Sequence, residues 1–191
     1  MEELKQRILK DGKAKKEGGV IRVSSFLNHQ LDPELMMHCA QEFARLFANQ
    51  GVNKIVTIEA SGIAPAILLG YIMHLPVVFV KKSIPKTVDK SWESWVWSFT
   101  RGNQKTVCID REFLTDKDRI LFIDDFLADG HASGCIIHLC RLSGAQIAGM
   151  GFLVEKGFAK GGQFLRDHDI PYHALATIKQ INDDNTMVVD G

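Results

Sequence analysis

Leu35, Met36, Cys39, Phe43, Leu46 and Phe47 recur at intervals that place one apolar stripe along a helix. Asp32-Pro33-Glu34 stands at its start: a capping acid, a proline in the first turn where its missing N–H is harmless, and a carboxylate at the positive end of the helix dipole. The spacing predicts a helix to about Asn49, closed by Gly51. Before it, the charged first twenty residues predict a short amphipathic helix with Leu4, Ile8 and Leu9 on its apolar side, and Val20 to Leu27 alternates as a short strand does. After it the period changes. Ile55 to Ile58, between Lys54 and Glu59, reads as a buried strand. Ala60-Ser61-Gly62 then leads into helical residues to about His74, and Pro76 to Val80 is a second apolar run.

This β–α–β order returns. Ile120 to Ile123 is a buried run, Asp124 and Asp125 follow it, a loop of small residues opens a helix over 132–142, and Ser143-Gly144 ends that helix. Ile147 to Val154 reads as the next strand, 157–162 as a loop, and 173–178 as a last strand before a short tail. Two such units predict an α/β fold around a parallel sheet with right-handed crossovers. Residues 83–118 break the pattern. They hold all three tryptophans, at Trp92, Trp95 and Trp97, and Trp95, Trp97 and Phe99 alternate with Val96, Ser98 and Thr100. Gly102-Asn103 suits a turn and Thr106 to Ile109 a returning strand, so an antiparallel hairpin is expected, attached to the parallel sheet. Its aromatic content suits a lid over a ligand or an interface between subunits.

At 191 residues the chain is the size of one domain, with a sizeable core and no need of disulfide or metal staples. The uncharged stretch Ile63 to Val80 is interrupted by Pro65, Gly70, His74 and Pro76, so a helix followed by a strand is expected in place of a membrane span. The N-terminus lacks the apolar core of a signal peptide, and a cytoplasmic protein is expected. Cys39, Cys108, Cys135 and Cys140 form no CxxC pair and read as reduced residues of the interior. Cys135, His138 and Cys140 do not share one helix face, which argues against zinc. Twenty-three basic residues balance twenty-three acidic ones, and this neutrality argues against a nucleic-acid coat or a binder of anionic membranes. The balance hides opposed segments: residues 81–105 hold six basic and two acidic side chains, and 110–129 seven acidic and three basic.

The most informative stretch runs from Ile120 to Gly134. A buried strand delivers adjacent carboxylates, and a tight loop then opens a helix whose backbone N–H groups are natural donors to phosphate. Carboxylates so close to a phosphate repel it unless they face hydroxyls or a Mg²⁺ ion. A sugar phosphate meets both demands. Acids at a strand end more often merely cap the following helix; it is the likeness of the whole fifteen-residue stretch to a known family that favours a ligand. The GxGxxG and GxxxxGK[ST] patterns are absent.

Four apolar residues, two acids and a phosphate loop resemble the signature of the type I phosphoribosyltransferases. The similarity extends in order through Ser25-Phe26-Leu27-Asn28-His29-Gln30, Ile55 to Glu59, Ser61 to Ala66, Pro76 to Phe79, Asp124 to Ala128 and Glu155-Lys156. The resemblance implies that fold over residues 1–191: a central parallel sheet flanked by helices, a flap over 83–118, and a small hood from 1–31 and 156–191. It also implies transfer of phosphoribosyl from 5-phosphoribosyl 1-diphosphate (PRPP) to N9 of a 6-oxopurine, with Mg²⁺ carried on PRPP, in a homodimer. By the same resemblance Ala128, Asp129, Gly130, His131 and Ala132 hold the 5-phosphate, and Asp124 and Asp125 the ribose hydroxyls. Ala60, Ser61 and Gly62 receive pyrophosphate, with Lys81 or Lys82 neutralising it and a cis peptide expected at Ala60-Ser61. Ile21, Asn28 and Lys156 contact the purine. A donor such as the Asn28 amide suits the 2-oxo group of xanthine, the expected base, with guanine or hypoxanthine as alternatives. A PRPP-sensing regulator is a further alternative, for which the twenty residues before the family-like region leave little room. The loop departs from its relatives at Asp129 and His131, where they commonly carry Asn and Gln. Ala128 stands where many 6-oxopurine enzymes have an aspartate, so no general base is assigned.

Overall fold

The computed structural model describes residues 1–84, 89–98 and 103–190. Helix α1 (Glu2–Asp11) opens the chain, followed by a small antiparallel pair, β1 (Lys13–Lys15) and β2 (Val20–Arg22), with Ala14 opposite Ile21. Then come α2 (Pro33–Leu46), β3 (Lys54–Ile58), α3 (Ile63–Met73) and β4 (Val77–Val80). The hairpin β5 (Ser91–Ser98) and β6 (Asn103–Asp110) precedes β7 (Arg119–Leu127), α4 (His131–Ser143), β8 (Gln146–Lys156), α5 (Gly161–Asp167), β9 (Tyr172–Ile181) and β10 (Met187–Asp190).

Six strands form the central sheet in the order β10-β9-β8-β7-β3-β4, all parallel except the β9–β10 pair. Both faces are covered, which is why its strands read as unbroken apolar runs. Successive residues of β7 serve opposite cores: Leu121 and Ile123 pack with α1, α2 and α3, while Ile120 and Phe122 pack with α4, α5 and the hairpin. The chain steps outward from β3 to β4 and returns on the other side of β3 at β7. That reversal leaves a crevice at the carboxyl ends of β3 and β7, where ligands of open α/β sheets bind.

Several boundaries differ from those predicted. Asp32 caps α2 as expected, its Oδ1 accepting from the Leu35 N–H at 3.2 Å, but the helix ends at Leu46. Leu4 and Ile8 of α1 are buried, whereas Leu9 points to solvent. Only Val20–Arg22 of the segment 20–27 is strand; the chain then turns, burying Phe26 and Leu27. β7 does not stop before the acids. Its pairing with β8 continues through Asp124, Phe126 and Leu127. The loop expected over 157–162 already begins α5 at Gly161, and the expected tail contains β10.

The hairpin of β5 and β6 is present in continuous antiparallel register, joined to β4 through a bridge between Lys81 and Cys108. It packs against α4, with the Trp95 and His138 rings 6.1 Å apart, and Trp92 Nε1 donates to the Leu114 carbonyl at 3.0 Å. The predicted Gly102 turn, with Phe99 and Thr100 before it, lies outside the described residues. All four cysteines are buried and free, and among the described residues no cluster of His, Cys, Asp and Glu could cage a metal. No described helix is long and apolar enough to cross a membrane.

Candidate active site

Two loops meet at the crevice. After β3 the chain makes the turn 59–62, and after β7 it makes the turn 128–130 that opens α4. Glu59 ties the first loop to the end of β4: its Oε1 accepts from the Lys82 N–H at 2.5 Å, while the Glu59 N–H donates to the Val80 carbonyl at 3.1 Å. The cis peptide lies at Glu59-Ala60, one residue before the predicted position. Gly62 is where the loop reaches β7. A Cβ there would stand 2.1 Å from Thr57 Oγ1, 3.0 Å from the Ile123 carbonyl oxygen and 3.1 Å from Asp124 Oδ1, so no larger residue fits without moving the loop off the acids.

Asp124 is buried and Asp125 half-buried. The Asp125 N–H donates to Asp124 Oδ1 at 2.9 Å, and the Phe126 N–H to Asp125 Oδ1 at 3.0 Å. Burial first, and then the charge of Asp125, push the Asp124 carboxyl well above the usual carboxylate range; the Lys82 ammonium pulls the other way. The Asn28 amide donates to Asp125 Oδ2 at 3.3 Å, bringing the loop before α2 onto the same acids.

The second loop turns on Gly130, which caps α4 at φ +84°. Both the left-handed backbone and the Phe164 ring, 3.0 Å from where a Cβ would lie, demand glycine. The start of α5 supports this loop from below. The Gly161 N–H donates to the Ala128 carbonyl at 2.7 Å, and a Cβ on Gly161 would fall 2.4 Å from that same oxygen. His131 and Ala132 form the first turn of α4, whose dipole presents a positive end to the crevice.

Beside the loop lies a cleft of about 470 Å³, lined by Lys16, Gly18, Gly19, Ala128, Asp129, Lys156, Phe158, Ala159, Gln180 and Ile181. Lys156 Nζ donates to the Gly19 carbonyl at 2.9 Å and stands 6.0 Å from the centre of the Phe126 ring. Burial lowers this ammonium below the usual lysine value, with Asp129 acting in the opposite sense. Lys16, whose N–H donates to Asn185 Oδ1 at 2.8 Å and whose ammonium pairs with Asp183, fastens the cleft rim to the β9–β10 turn.

Most of the predicted residues thus gather in two groups. Ala128, Asp129 and Lys156 share the cleft. Asp124, Asp125, Asn28, Gly62 and the Glu59-to-Lys82 link form the crevice. Ile21 is in neither group's lining: it pairs within β1–β2 and packs its side chain against the core. Lys81 directs its ammonium over the Phe79 ring at 5.6 Å, and Lys82 is exposed. Sequence reasoning missed Lys16, Gly161 and Phe164, and gave no ground for counting Phe158 among the site residues. A lone loop phenylalanine has no signature, and the paired glycines at 161 and 162, which signal a close approach, read only as part of the 157–162 loop.

No protein-family model matches the chain. It is 47% identical to xanthine phosphoribosyltransferase of Lactobacillus delbrueckii subsp. bulgaricus, covering 96% of this chain and 97% of that one. It is 44% identical to xanthine phosphoribosyltransferase of Ligilactobacillus salivarius, covering 100% and 99%. Among solved structures, adenine phosphoribosyltransferase of Trypanosoma brucei superposes with a TM-score of 0.77 at 18% identity, over 95% of this chain and 83% of that one. At that identity the superposition speaks for the fold, with its mostly parallel sheet and antiparallel excursion, and agrees with the architecture expected from the acids and their loop. Full-length similarity above two residues in five speaks for more: the chain belongs to the xanthine phosphoribosyltransferase family.

Proposed function

We propose that the protein transfers phosphoribosyl from PRPP to N9 of xanthine, giving xanthosine 5′-monophosphate and diphosphate. The observation that carries this reading is the crevice itself, where two strand-borne acids lie between a glycine turn and the amino end of a thirteen-residue helix. The Trypanosoma brucei neighbour was solved with AMP, pyrophosphate and ribose-5-phosphate.

In this reading the N–H groups of 128–132 receive the 5-phosphate at the positive end of α4. Asp124 and Asp125 accept from the ribose hydroxyls, and Ala60, Ser61 and Gly62 hold pyrophosphate, with Lys82 and Lys81 supplying cations near it. Lys156 and the Asn28 amide address the base oxygens, the backbone at Ile21 contributes, and Phe158 covers one face of the cleft. As the C1–O bond to pyrophosphate breaks, C1 gains positive character, which the fixed carboxylates stabilise; N9 then bonds to C1, diphosphate leaves, and the purine's proton passes to water. No side chain is assigned as general base. Mg²⁺ enters in this reading on PRPP, with its own waters, beside the adjacent carboxylates of Asp124 and Asp125. When bound, Mg²⁺ neutralises charge on the leaving diphosphate.

The protein acts in the cytoplasm as a homodimer in this reading. The exposed Ile67, Tyr71 and Phe79, on α3 and the edge strand β4, supply an apolar face for the second subunit. A steady-state assay with PRPP, Mg²⁺ and each of xanthine, guanine, hypoxanthine and adenine tests the reaction. Xanthine should give the highest kcat/KM. Turnover with guanine or hypoxanthine above that with xanthine would replace the base, and no product with any of the four would remove the reading.

A further inference from the structure

Thr57 of β3 is fully buried, and its hydroxyl has no hydrogen-bond partner. Its neighbours Ile55, Val56 and Ile58 are aliphatic. Valine has the same outline as threonine and would fill the site without stranding a donor, whereas a stranded buried hydroxyl destabilises the folded state. Folding alone gives no reason for threonine at this position.

The surroundings give one. Thr57 Oγ1 and Asp124 Oδ1 lie 2.1 and 3.1 Å from the same point, the place where a Gly62 side chain would begin. Hydroxyl and carboxyl therefore both pack closely against Gly62 beneath the 59–62 turn, near each other but not hydrogen-bonded. Asp124 Oδ1 receives the Asp125 N–H, and the carboxyl group retains further lone pairs for a hydroxyl donor.

We propose that Thr57 is a positioning residue for PRPP: when the Asp124 carboxylate turns to accept the ribose hydroxyls, the Thr57 hydroxyl donates to it and holds it in that orientation. This rests on the phosphoribosyl-transfer reading above. Thr57 lies under Gly62, touches no substrate and acts through Asp124. A hydrogen bond made only in the complex turns a defect of the free protein into affinity for the ligand. Stability and affinity must then move in opposite directions when the hydroxyl is removed, which a purely structural role cannot produce.

Thr57→Val and Thr57→Ser test this against the wild type by thermal unfolding, by calorimetric binding of PRPP with Mg²⁺, and by KM for PRPP and for xanthine. Thr57→Val should unfold at a higher temperature yet bind PRPP about tenfold more weakly, with KM for xanthine unmoved. Thr57→Ser keeps the hydroxyl and loses a buried methyl, so it should unfold at a lower temperature yet bind PRPP as the wild type does. Wild-type PRPP affinity in Thr57→Val, or an equal loss in both variants, would overturn the assignment. A wild type that binds PRPP but forms no product with xanthine would count against the proposed reaction, and the binding comparison would still decide Thr57. A wild type that does not bind PRPP would overturn both.

Discussion

At the residue scale, the two strand acids carry the clearest expectations. Replacing both, Asp124→Asn with Asp125→Asn, removes two charge-assisted acceptors and should lower kcat/KM by about a hundredfold or more while leaving the circular dichroism spectrum unchanged. Near-normal turnover would detach these acids from the sugar. Asp124 also makes a stability prediction with a definite sign. Burial, and then Asp125, raise its carboxyl, so the folded protein binds this proton more tightly than the unfolded chain. The resulting stabilisation is complete below the unfolded carboxylate pKa and is lost as pH rises through the folded one. Melting temperatures of the wild type and of Asp124→Asn should therefore diverge in the variant's favour as pH rises from the ordinary carboxylate range through the raised one; parallel curves would show that burial does not govern this group. The sequence displayed both acids, because adjacent charges after four apolar residues stand out. It did not display the contrast between them. Asp124 is buried because Gly62 folds down on it, sixty-two residues away in the chain, and Asp125 is half-exposed beside Asn28.

At the scale of elements, long periodic segments were legible and short ones were not. α2 follows from its stripe and its Asp32 cap, and the hairpin from its alternation. α5 did not, because seven residues opening on two glycines have too little periodicity and poor helix propensity. β7 runs longer than predicted since its hydrogen-bonding partner β8 continues beside it to Glu155, whatever the charge of the residues on β7. The missed helix bears on the site. Gly161 supports the phosphate loop by its N–H and leaves no space for a side chain between itself, the Ala128 carbonyl and Leu127. Gly161→Ala should push that loop outward and raise KM for PRPP severalfold, at a stability cost of about 1–3 kcal/mol typical of overpacking. An unchanged KM would mean that α5 and the loop move independently.

Across the whole molecule, the chain's two ends close on each other beside the cleft. Met1 bonds to the Leu175 carbonyl, Lys16 pairs with Asp183, and Leu4 and Ile8 of the charged first helix are fully buried in the main core. Leu4→Ala should cost about 2–5 kcal/mol in chemical denaturation, as buried leucine truncations do, with KM for both substrates unchanged because Leu4 is sealed in the main core and lines neither the crevice nor the cleft. A change in KM without loss of stability would place α1 in the site. The zero net charge also takes its meaning at this scale. Lys82 of the basic segment acts on Asp124 of the acidic one at the crevice, so charges that cancel in the total are opposed at the site. The sequence by itself determined the α/β alternation, the strand-borne acids, the glycine turns and the family, since each rests on local spacing or on residues adjacent in the chain. Only the tertiary structure decided which atoms share the site: the close packing of Gly62 on Thr57 and Asp124, the support of Ala128 by Gly161, and the cleft between Gly19, Lys156 and Phe158. Those contacts join residues distant in sequence, and their distances are set by how helices and strands pack, which no local pattern encodes.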